Sequence, residues 1–366
     1  MITVTKAYLP DRTKLQSYIN HIYETAWLTN NGPLLKELEE RLRQFLGVRH
    51  LILVANGSLA LQVAYKALEL KGEAITTPFS FAATASTLAW EGLKPVFADI
   101  DPHTFNLNPD NIEALITPQT SAIVPVHVFG NPCEVEAIET VARKHNLKVI
   151  YDAAHAFGVE HKGRSVLNNG DVSTLSFHAT KLFHTIEGGA IVTNDDAIAS
   201  KVRRLINFGI TGPESIEGVG TNAKMNEFEA AMGLCVLDEI EQIQTQRRTI
   251  WECYRKNLPA NIVYQQPTPH SKPNYSYAPI VLPDEPMLLR VQKALNDASI
   301  IPRRYFYPSL DTVGYTTEAQ HCPVSRDIAK RILCLPIYPG LELSVVKRIA
   351  GIMSNSSCFE KHRKRR

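Results

Sequence analysis

The sequence of 366 residues has little excess charge of either sign and no long apolar run. Lysine and arginine number 39 against 37 acidic residues, so the net charge of +2 gives no reason to expect nucleic acid or an anionic membrane as a partner. No apolar stretch approaches the roughly 20 residues that cross a bilayer. Residues 1–6 also lack the charged-then-apolar order of a signal peptide. We therefore expect a cytoplasmic protein without a membrane segment.

Cysteine is scarce and irregularly placed. The six cysteines show neither the spacing of a metal site nor that of a disulfide framework. We interpret them as free thiols in a reducing compartment and predict no metal centre. The one basic run lies at the extreme C-terminus, where residues 359–366 are predicted to form a disordered tail.

Strands and helices alternate regularly between residues 50 and 195. Seven short apolar segments predict strands, at residues 51–54, 74–77, 95–100, 122–126, 148–151, 173–176 and 190–193. Helical patterns separate most of them, which predicts an α/β fold with a mostly parallel sheet. Residues 227–256 predict one long helix that leads out of this unit. We expect a large domain over 1–240, including the N-terminal helices, and a small C-terminal domain over 241–358.

A lysine and an aspartate in this region fit the chemistry of pyridoxal phosphate. Lys181 ends the small, hydroxyl-bearing segment 176–181, and Glu-Gly-Gly follows at 187–189. Asp152 lies 29 residues upstream of the lysine, at the end of an apolar run. Pyridoxal phosphate needs a lysine that forms a Schiff base with its aldehyde and an aspartate that keeps its ring nitrogen protonated. Either residue alone is as easily a surface lysine or a helix cap, so the interpretation depends on the surroundings.

The turn after the first strand of this region is a candidate anion site. Asn56, Gly57 and Ser58 follow the strand at 51–54 and precede a helical pattern. The N–H groups and the dipole at a helix N-terminus favour an anion such as phosphate. By itself, Asn-Gly-Ser is a common turn.

Several ordered blocks of the sequence, taken together, resemble one family. They lie at residues 56–61, 77–84, 95–101, 125–130, 152–158 and around Lys181. From about Gly32 to Arg248 the chain resembles the sugar aminotransferases of the DegT/DnrJ/EryC1/StrS family, which are fold-type-I pyridoxal phosphate enzymes. The resemblance implies a seven-stranded, mostly parallel sheet with helices on both faces and a smaller C-terminal α/β domain. It also implies a homodimer.

The resemblance gives three residues roles around the cofactor ring. Lys181 is implied as the lysine that binds the cofactor and then moves a proton between its C4′ atom and the substrate carbon. Asp152 is implied as the partner of the pyridinium nitrogen. Phe81 is implied as the residue that stacks on the ring, the alternative being a simple core phenylalanine.

Four residues are implied as phosphate ligands. Gly57 and Ser58 would act through backbone N–H groups and the Ser58 hydroxyl, and Ser176 through a second hydroxyl. Asn222 matches the asparagine of the family motif Gly-x-Asn-x-Arg-Met, which reaches the phosphate from the neighbouring subunit of a homodimer. The arginine of that motif is Lys224 here, which keeps the charge but loses the planar fork.

His155 stands where many members of the family have glutamine near the phenolic oxygen of the cofactor. Histidine can also donate a hydrogen bond there if its tautomer is right, and a structural histidine is the alternative. For His178 and His184 we favour packing or loop support over substrate contact. Glu187 matches the family motif and is expected either to touch the sugar or to hold its loop.

The activity implied by the resemblance is a ping-pong transamination. L-glutamate gives its amino group to the cofactor and leaves as 2-oxoglutarate, and a nucleotide-linked keto-sugar then takes up the amine. The motif around Glu187 favours dTDP-4-keto-6-deoxy-D-glucose as substrate and dTDP-4-amino-4,6-dideoxy-D-glucose as product, for O-antigen or another surface polysaccharide. A 3-keto isomer and UDP- or GDP-linked sugars are the alternatives. A related dehydratase branch has histidine in place of Lys181, and a non-catalytic scaffold would need none of these residues.

Overall fold

The structure, a computed structural model, describes residues 1–315 and 320–355. The basic tail predicted at 359–366 lies outside these described residues. Within them, no helix has both the length and the apolar character that crossing a membrane requires.

Short strands and longer helices alternate along the described chain. The strands are β1 Ile2–Thr3, β2 His50–Val54, β3 Glu73–Thr76, β4 Lys94–Phe97, β5 Thr120–Val124, β6 Lys148–Asp152, β7 Glu160–His161, β8 Arg164–Ser165, β9 Val172–Ser176, β10 Gly189–Thr193, β11 Ile210–Gly212, β12 Ser215–Ile216, β13 Ser271–Lys272, β14 Pro279–Val281, β15 Ile300–Ile301 and β16 Ile332–Cys334. The α-helices are α1 Arg12–Thr25, α2 Pro33–Leu46, α3 Gly57–Ala67, α4 Ala82–Trp90, α5 Val135–His145, α6 Asp196–Leu205, α7 Glu227–Asp238, α8 Ile240–Asn257, α9 Glu285–Asp297, α10 Pro323–Arg331 and α11 Leu343–Asn355.

The main sheet has seven strands in the order β2-β10-β9-β6-β5-β3-β4. β10 runs antiparallel to β2 and β9, and the other neighbouring pairs are parallel. These are the seven strands predicted from the apolar segments, so the predicted α/β fold with a mostly parallel sheet is confirmed. Most of the strand residues are buried, which is why the segments are nearly continuous apolar runs instead of alternating ones.

Helices cover both faces of this sheet. Alternate side chains of β2 enter separate cores, because successive residues of a strand point to opposite faces. Leu51 and Leu53 belong to the core that contains α2, α5 and α7. Ile52 and Val54 belong to the core that contains α3, α4 and α6. With both faces covered, the edge where the strands end is the place that remains for a ligand.

The prediction of a single long helix over 227–256 is wrong, because two helices occupy this range. α7 ends at Asp238 and α8 begins at Ile240, with Glu239 outside the helical region between them (φ −106°, ψ 9°). The side chain of Glu239 accepts hydrogen bonds from the Tyr8 hydroxyl and the Asp11 N–H. These contacts with the N-terminal segment stabilise the break, and no helix breaker in the local sequence indicates it.

A separate apolar core lies in the C-terminal part of the chain. It contains side chains of α8, α9, α11, β14 and β16, from Ile250 to Met353. β1 pairs in parallel with β15, so the extreme N-terminus extends this unit instead of the main sheet. The separate core is in keeping with a small second domain, and the predicted boundary at residue 240 stays a prediction.

A buried carboxylate joins α7 to the N-terminus of α2. The Glu227 side chain is buried, and its oxygens accept hydrogen bonds from the N–H groups of Leu34 and Leu35, both at 2.9 Å. Gly32 allows this approach, because a Cβ there would lie 2.5 Å from the Glu227 carboxyl carbon. The contact fixes how α2 lies against α7.

We predict that Glu227→Gln lowers the free energy of unfolding by about 1.5–3 kcal/mol, because an amide offers one acceptor and no charge to two buried N–H donors. Denaturant unfolding of the purified protein measures this change. Glu241→Gln, at an exposed position at the start of α8, is the matched control and should change the free energy by less than about 0.5 kcal/mol. Equal changes in the two variants would contradict the capping role of Glu227.

Candidate active site

A cavity of about 290 Å³ lies where several strands of the main sheet end. β2, β6 and β9 run in the same direction, so the residues that follow them meet at one edge. Seven of the eight predicted site residues line this cavity, namely Gly57, Ser58, Phe81, Asp152, His155, Ser176 and Lys181. Asn222 is the exception. Positions at strand ends thus bring residues that are distant in sequence into one pocket.

The turn after β2 presents backbone and hydroxyl donors to the cavity. Asn56 caps α3 by accepting from the Leu59 N–H at 2.9 Å, which leaves the first-turn N–H groups of Gly57 and Ser58. A Cβ at Gly57 would lie 2.8 Å from the Cβ of Ser176, so glycine is needed for α3 to come this close to β9. The Ser58 and Ser176 hydroxyls have no hydrogen-bond partner in the described part of the chain. This donor set fits a phosphate group.

The carboxylate of Asp152 is buried at the end of β6. Its oxygens accept hydrogen bonds from the Thr84 hydroxyl (2.7 Å) and the Ala154 N–H (3.1 Å). Burial raises the pKa of Asp152, whereas these hydrogen bonds and the charge of Lys181 oppose the rise. A buried carboxylate is stabilised by a cation, and a protonated pyridine nitrogen is one. The donors and acceptors of the cavity therefore fit pyridoxal phosphate.

Hydrogen bonding determines the tautomer of His155. Its Nδ1 accepts from the backbone N–H of Phe129 at 3.2 Å, so the neutral ring has its proton on Nε2. Burial lowers the pKa of His155 well below its ordinary value, and the charge of Lys181 lowers it further. The ring packs almost parallel to those of Phe129 and Phe306. His155 is thus a neutral N–H donor, the form that its predicted role toward the cofactor requires, and the role itself stays a prediction.

The ε-amine of Lys181 meets a residue that the sequence did not predict. Its Nζ donates a hydrogen bond to the Tyr277 hydroxyl at 3.3 Å. Burial lowers the pKa of Lys181, and the charges of Asp152 and Tyr305 oppose this change. A larger share of neutral amine favours both attack on an aldehyde and acceptance of a proton from carbon.

Residues of the C-terminal part of the chain line the cavity without having been predicted. They are Tyr277, Arg303, Tyr305 and Phe306. Tyr277 lies 96 residues after Lys181, and no local pattern indicates a contact over such a separation. Thr84 was also missed as a partner of Asp152, although it ends one of the blocks that resemble the family. Its position in the first turn of α4, beside the end of the sheet, was the available indication.

Asn222 lies outside the cavity of its own chain. It is exposed and forms an antiparallel bridge with Asn207. Lys224 donates to the side-chain oxygen of Asn207 (3.0 Å) and lies over the ring of Phe208. This segment borders a separate surface cavity. The predicted action of Asn222 across a subunit interface stays a prediction.

The two histidines that flank the lysine differ in their surroundings. His184 is buried; its Nε2 lies 2.8 Å from the Tyr8 carbonyl oxygen, and its Nδ1 accepts from the Ile186 N–H at 3.2 Å. Both of its ring nitrogens thus support the loop, as the packing interpretation predicts. His178 supports its own loop as well, because its Nδ1 accepts from the Thr180 N–H at 3.2 Å, but it also lines the cavity, with its Nε2 3.5 Å from the carboxylate of Glu187, which lines the cavity too. These last two side chains are placed to meet a ligand.

Known proteins resemble this chain over nearly its whole length. The DegT/DnrJ/EryC1/StrS aminotransferase family model matches residues 11–354. A dTDP-4-amino-4,6-dideoxy-D-glucose transaminase of Shigella dysenteriae is 45% identical over 96% of this chain and 97% of its own length. A transaminase of the same name from Escherichia coli is 40% identical over 96% and 98%. The crystal structure of DesI in the presence of its TDP-sugar product has a TM-score of 0.93 and 35% identity, covering 99% of this chain and 94% of that one.

We predict that Thr84→Val raises the dissociation constant of pyridoxal phosphate about 10- to 100-fold, because a hydrogen bond to a charged group contributes about 1.5–3 kcal/mol. Valine keeps the shape of threonine but removes the donor to Asp152. Absorbance during titration of the apoprotein with pyridoxal phosphate measures the constant. Thr87→Val is the matched control, because the Thr87 hydroxyl donates to the Ala83 carbonyl on the same helix (2.8 Å). The same dissociation constant in both variants would contradict the importance of the Thr84 contact.

Proposed function

Because the chain belongs to the DegT/DnrJ/EryC1/StrS aminotransferase family, we propose that it transfers the amino group of L-glutamate to a nucleotide-linked keto-sugar. The protein is a sugar aminotransferase with pyridoxal phosphate as its cofactor. The observation that carries the proposal is the meeting of Lys181, Asp152 and the N-terminus of α3 in one cavity. When bound, pyridoxal phosphate carries the amino group and withdraws electrons from the substrate carbon.

The residues at the strand ends would hold the cofactor. The first-turn N–H groups of α3 and the hydroxyls of Ser58 and Ser176 would bind its phosphate. Asp152 would keep its ring nitrogen protonated, and His155 would donate from Nε2 to its phenolic oxygen. Phe81, at the N-terminus of α4, would cover one face of the ring. Its side chain is 53% exposed in the single chain, which leaves a ring face available for stacking.

Lys181 would move the proton that transamination requires. As a neutral amine, its Nζ would accept a proton from the substrate carbon that bears the amino group and would deliver it to the C4′ carbon of the cofactor, on the other side of the shared nitrogen. The keto-sugar half-reaction uses the same transfer in the opposite direction. The lowered pKa of the amine supports this role, because it lessens the cost of releasing the proton again.

We propose dTDP-4-keto-6-deoxy-D-glucose as the acceptor and dTDP-4-amino-4,6-dideoxy-D-glucose as the product. The support is the identity to two full-length relatives that are named for this amino sugar. Arg303 lines the cavity and supplies positive charge, which suits both a dicarboxylate and a sugar diphosphate. The product would serve a surface polysaccharide such as O-antigen, and the reaction would take place in the cytoplasm.

The first test is NMR of the product formed from dTDP-4-keto-6-deoxy-D-glucose, L-glutamate and pyridoxal phosphate. We expect an equatorial amine at C-4. An axial amine would retain the 4-aminotransferase class but change the product to the galacto sugar. No product, together with turnover of the 3-keto isomer, would contradict the substrate and leave the aminotransferase class standing. Lys181→Ala should stay folded without turnover, and substantial turnover by this variant would contradict the assignment of the lysine.

We also propose that the protein is a homodimer in which Asn222 of each subunit completes the phosphate site of the other. The support is the match to the family motif together with the position of Asn222 on the exposed surface, outside the cavity of its own chain. A single chain would then lack one phosphate ligand, and activity would depend on association.

Mixed dimers test this arrangement, because a heterodimer of Lys181→Ala and Asn222→Ala subunits has one site with both wild-type residues. Each variant alone should be nearly inactive, and random mixing should restore about one quarter of the wild-type activity. The matched control mixes Lys181→Ala with Asp152→Ala, two changes within the same cavity, and should restore nothing. No recovery in a sample that contains Lys181→Ala/Asn222→Ala heterodimers would mean that Asn222 acts within its own chain, and full activity of Asn222→Ala alone would mean that it does not act at all.

A further inference from the structure

The hydroxyl of Tyr277 is the one hydrogen-bond partner of the Lys181 amine among the described side chains. Lys181 follows β9 of the main sheet, whereas Tyr277 precedes β14 in the C-terminal part of the chain. The two parts of the molecule therefore meet at the nitrogen that is expected to react. Tyr277 also lies against His155, with ring centroids 4.6 Å apart.

Hydrogen bonds hold the segment 274–277 against the loop that carries His155. The buried side-chain amide of Asn274 donates to the carbonyl oxygens of His155 (2.8 Å) and Phe157 (2.9 Å). Its oxygen accepts from the Ser276 N–H at 3.0 Å, and the buried Arg247 donates to the Ser276 carbonyl at 3.0 Å. Three of these hydrogen bonds join the segment to the His155 loop or to α8, and the fourth is internal to the segment. Together they determine the position of the backbone next to Tyr277.

The backbone at Gly130 makes room for this attachment. Its φ is +84°, and a Cβ there would lie 2.7 Å from the His155 carbonyl oxygen and 2.8 Å from the Asn274 side-chain oxygen. Any larger residue would push Asn274 away from the His155 loop. The close contact between the two parts of the chain thus depends on a glycine in a conformation that other residues rarely adopt.

The chemistry of the two groups fits a holding contact. Burial raises the pKa of Tyr277, so its hydroxyl stays neutral and its oxygen can accept an N–H. A long, flexible lysine side chain loses rotamer entropy when it is fixed. Its amine needs such fixing when it is not covalently bound, because proton transfer requires a defined position. A neutral hydroxyl accepts an N–H from the amine and from the ammonium alike.

We propose that Tyr277 is a positioning residue for Lys181, whose free ε-amine its hydroxyl holds beside the carbons between which the proton moves. This inference deepens the proposed function and rests on it. Lys181 takes one proton from carbon, becomes an ammonium that still donates an N–H to the Tyr277 oxygen, and returns that proton to the second carbon. Tyr277 gains and loses no proton.

Capture of the cofactor by the apoprotein tests the holding contact without any turnover. The first-order rate of covalent capture at saturating pyridoxal phosphate, followed by absorbance, should fall about tenfold in Tyr277→Phe. Phenylalanine keeps the ring against His155 and removes the hydroxyl alone. Tyr275→Phe is the matched control; Tyr275 lies two residues earlier and lines a different cavity. It should capture the cofactor at the wild-type rate.

The isotope effect of [2-²H]-L-glutamate tests the proton transfer itself. In Tyr277→Phe the half-reaction with glutamate should slow about 10- to 100-fold with KM nearly unchanged, and the deuterium effect on its rate should rise, because proton transfer becomes more rate-limiting. If the Tyr277 hydroxyl only stabilised the fold, the deuterium effect in Tyr277→Phe would equal that of the wild type.

Wild-type values of both the capture rate and the isotope effect in folded Tyr277→Phe would overturn the inference. Slow capture with an unchanged isotope effect would overturn the proton-transfer part and retain the holding contact. If the wild-type protein does not react with glutamate, the proposed donor fails, and the capture experiment still decides on Tyr277.

Discussion

The candidate site depends on one buried charge, the carboxylate of Asp152. Taking a carboxylate out of water costs several kcal/mol unless hydrogen bonds and a cation offset it. Thr84 and Ala154 donate to its two oxygens, but among the described residues it forms no ion pair. In the proposed arrangement, a protonated ring nitrogen would supply the missing cation. Binding of the cofactor and stabilisation of this buried group would then be linked, and the same charge would keep the ring in its electron-withdrawing form.

The sheet topology determines which part of the cofactor each residue can reach. Across the edge, β2 leads to the N–H donors of α3, β9 leads to Ser176 and Lys181, and β6 leads to Asp152. The N–H donors of α3 and the carboxylate of Asp152 thus follow strands on opposite sides of β9, the strand that leads to the lysine. β10, inserted antiparallel between β2 and β9, begins at this edge with Gly189, where a Cβ would lie 2.7 Å from the Asn56 carbonyl carbon. Its lack of a side chain allows the backbone of Asn56 to lie this close to β10.

The parts that the sequence predicts are those determined by local chemistry. The seven strands were predictable because buried parallel strands are short apolar runs. Lys181, Asp152 and Gly57 were chosen because they follow such strands and lie in the blocks that resemble the family, and the structure places all three in one cavity. The break at Glu239 was not, because contacts with Tyr8 and Asp11 stabilise it and the segment 227–256 contains no proline. Tyr277 was missed for the same kind of reason, since a contact over 96 residues leaves no pattern along the chain.

Two groups of residues line the cavity, those that follow the strands of the main sheet and those of the C-terminal part of the chain. Under the proposed function, L-glutamate and a nucleotide sugar would react in turn at Lys181, so other residues of the cavity would have to distinguish these two substrates. In the C-terminal group, the Arg303 guanidinium lies 4.6 Å over the Tyr305 ring. Arg303 forms no ion pair within the described residues, so its charge is available to a ligand. The sequence blocks that carry the resemblance all precede this region, although the family model as a whole matches the chain up to residue 354. The class of reaction therefore follows from the sequence more readily than the identity of the sugar.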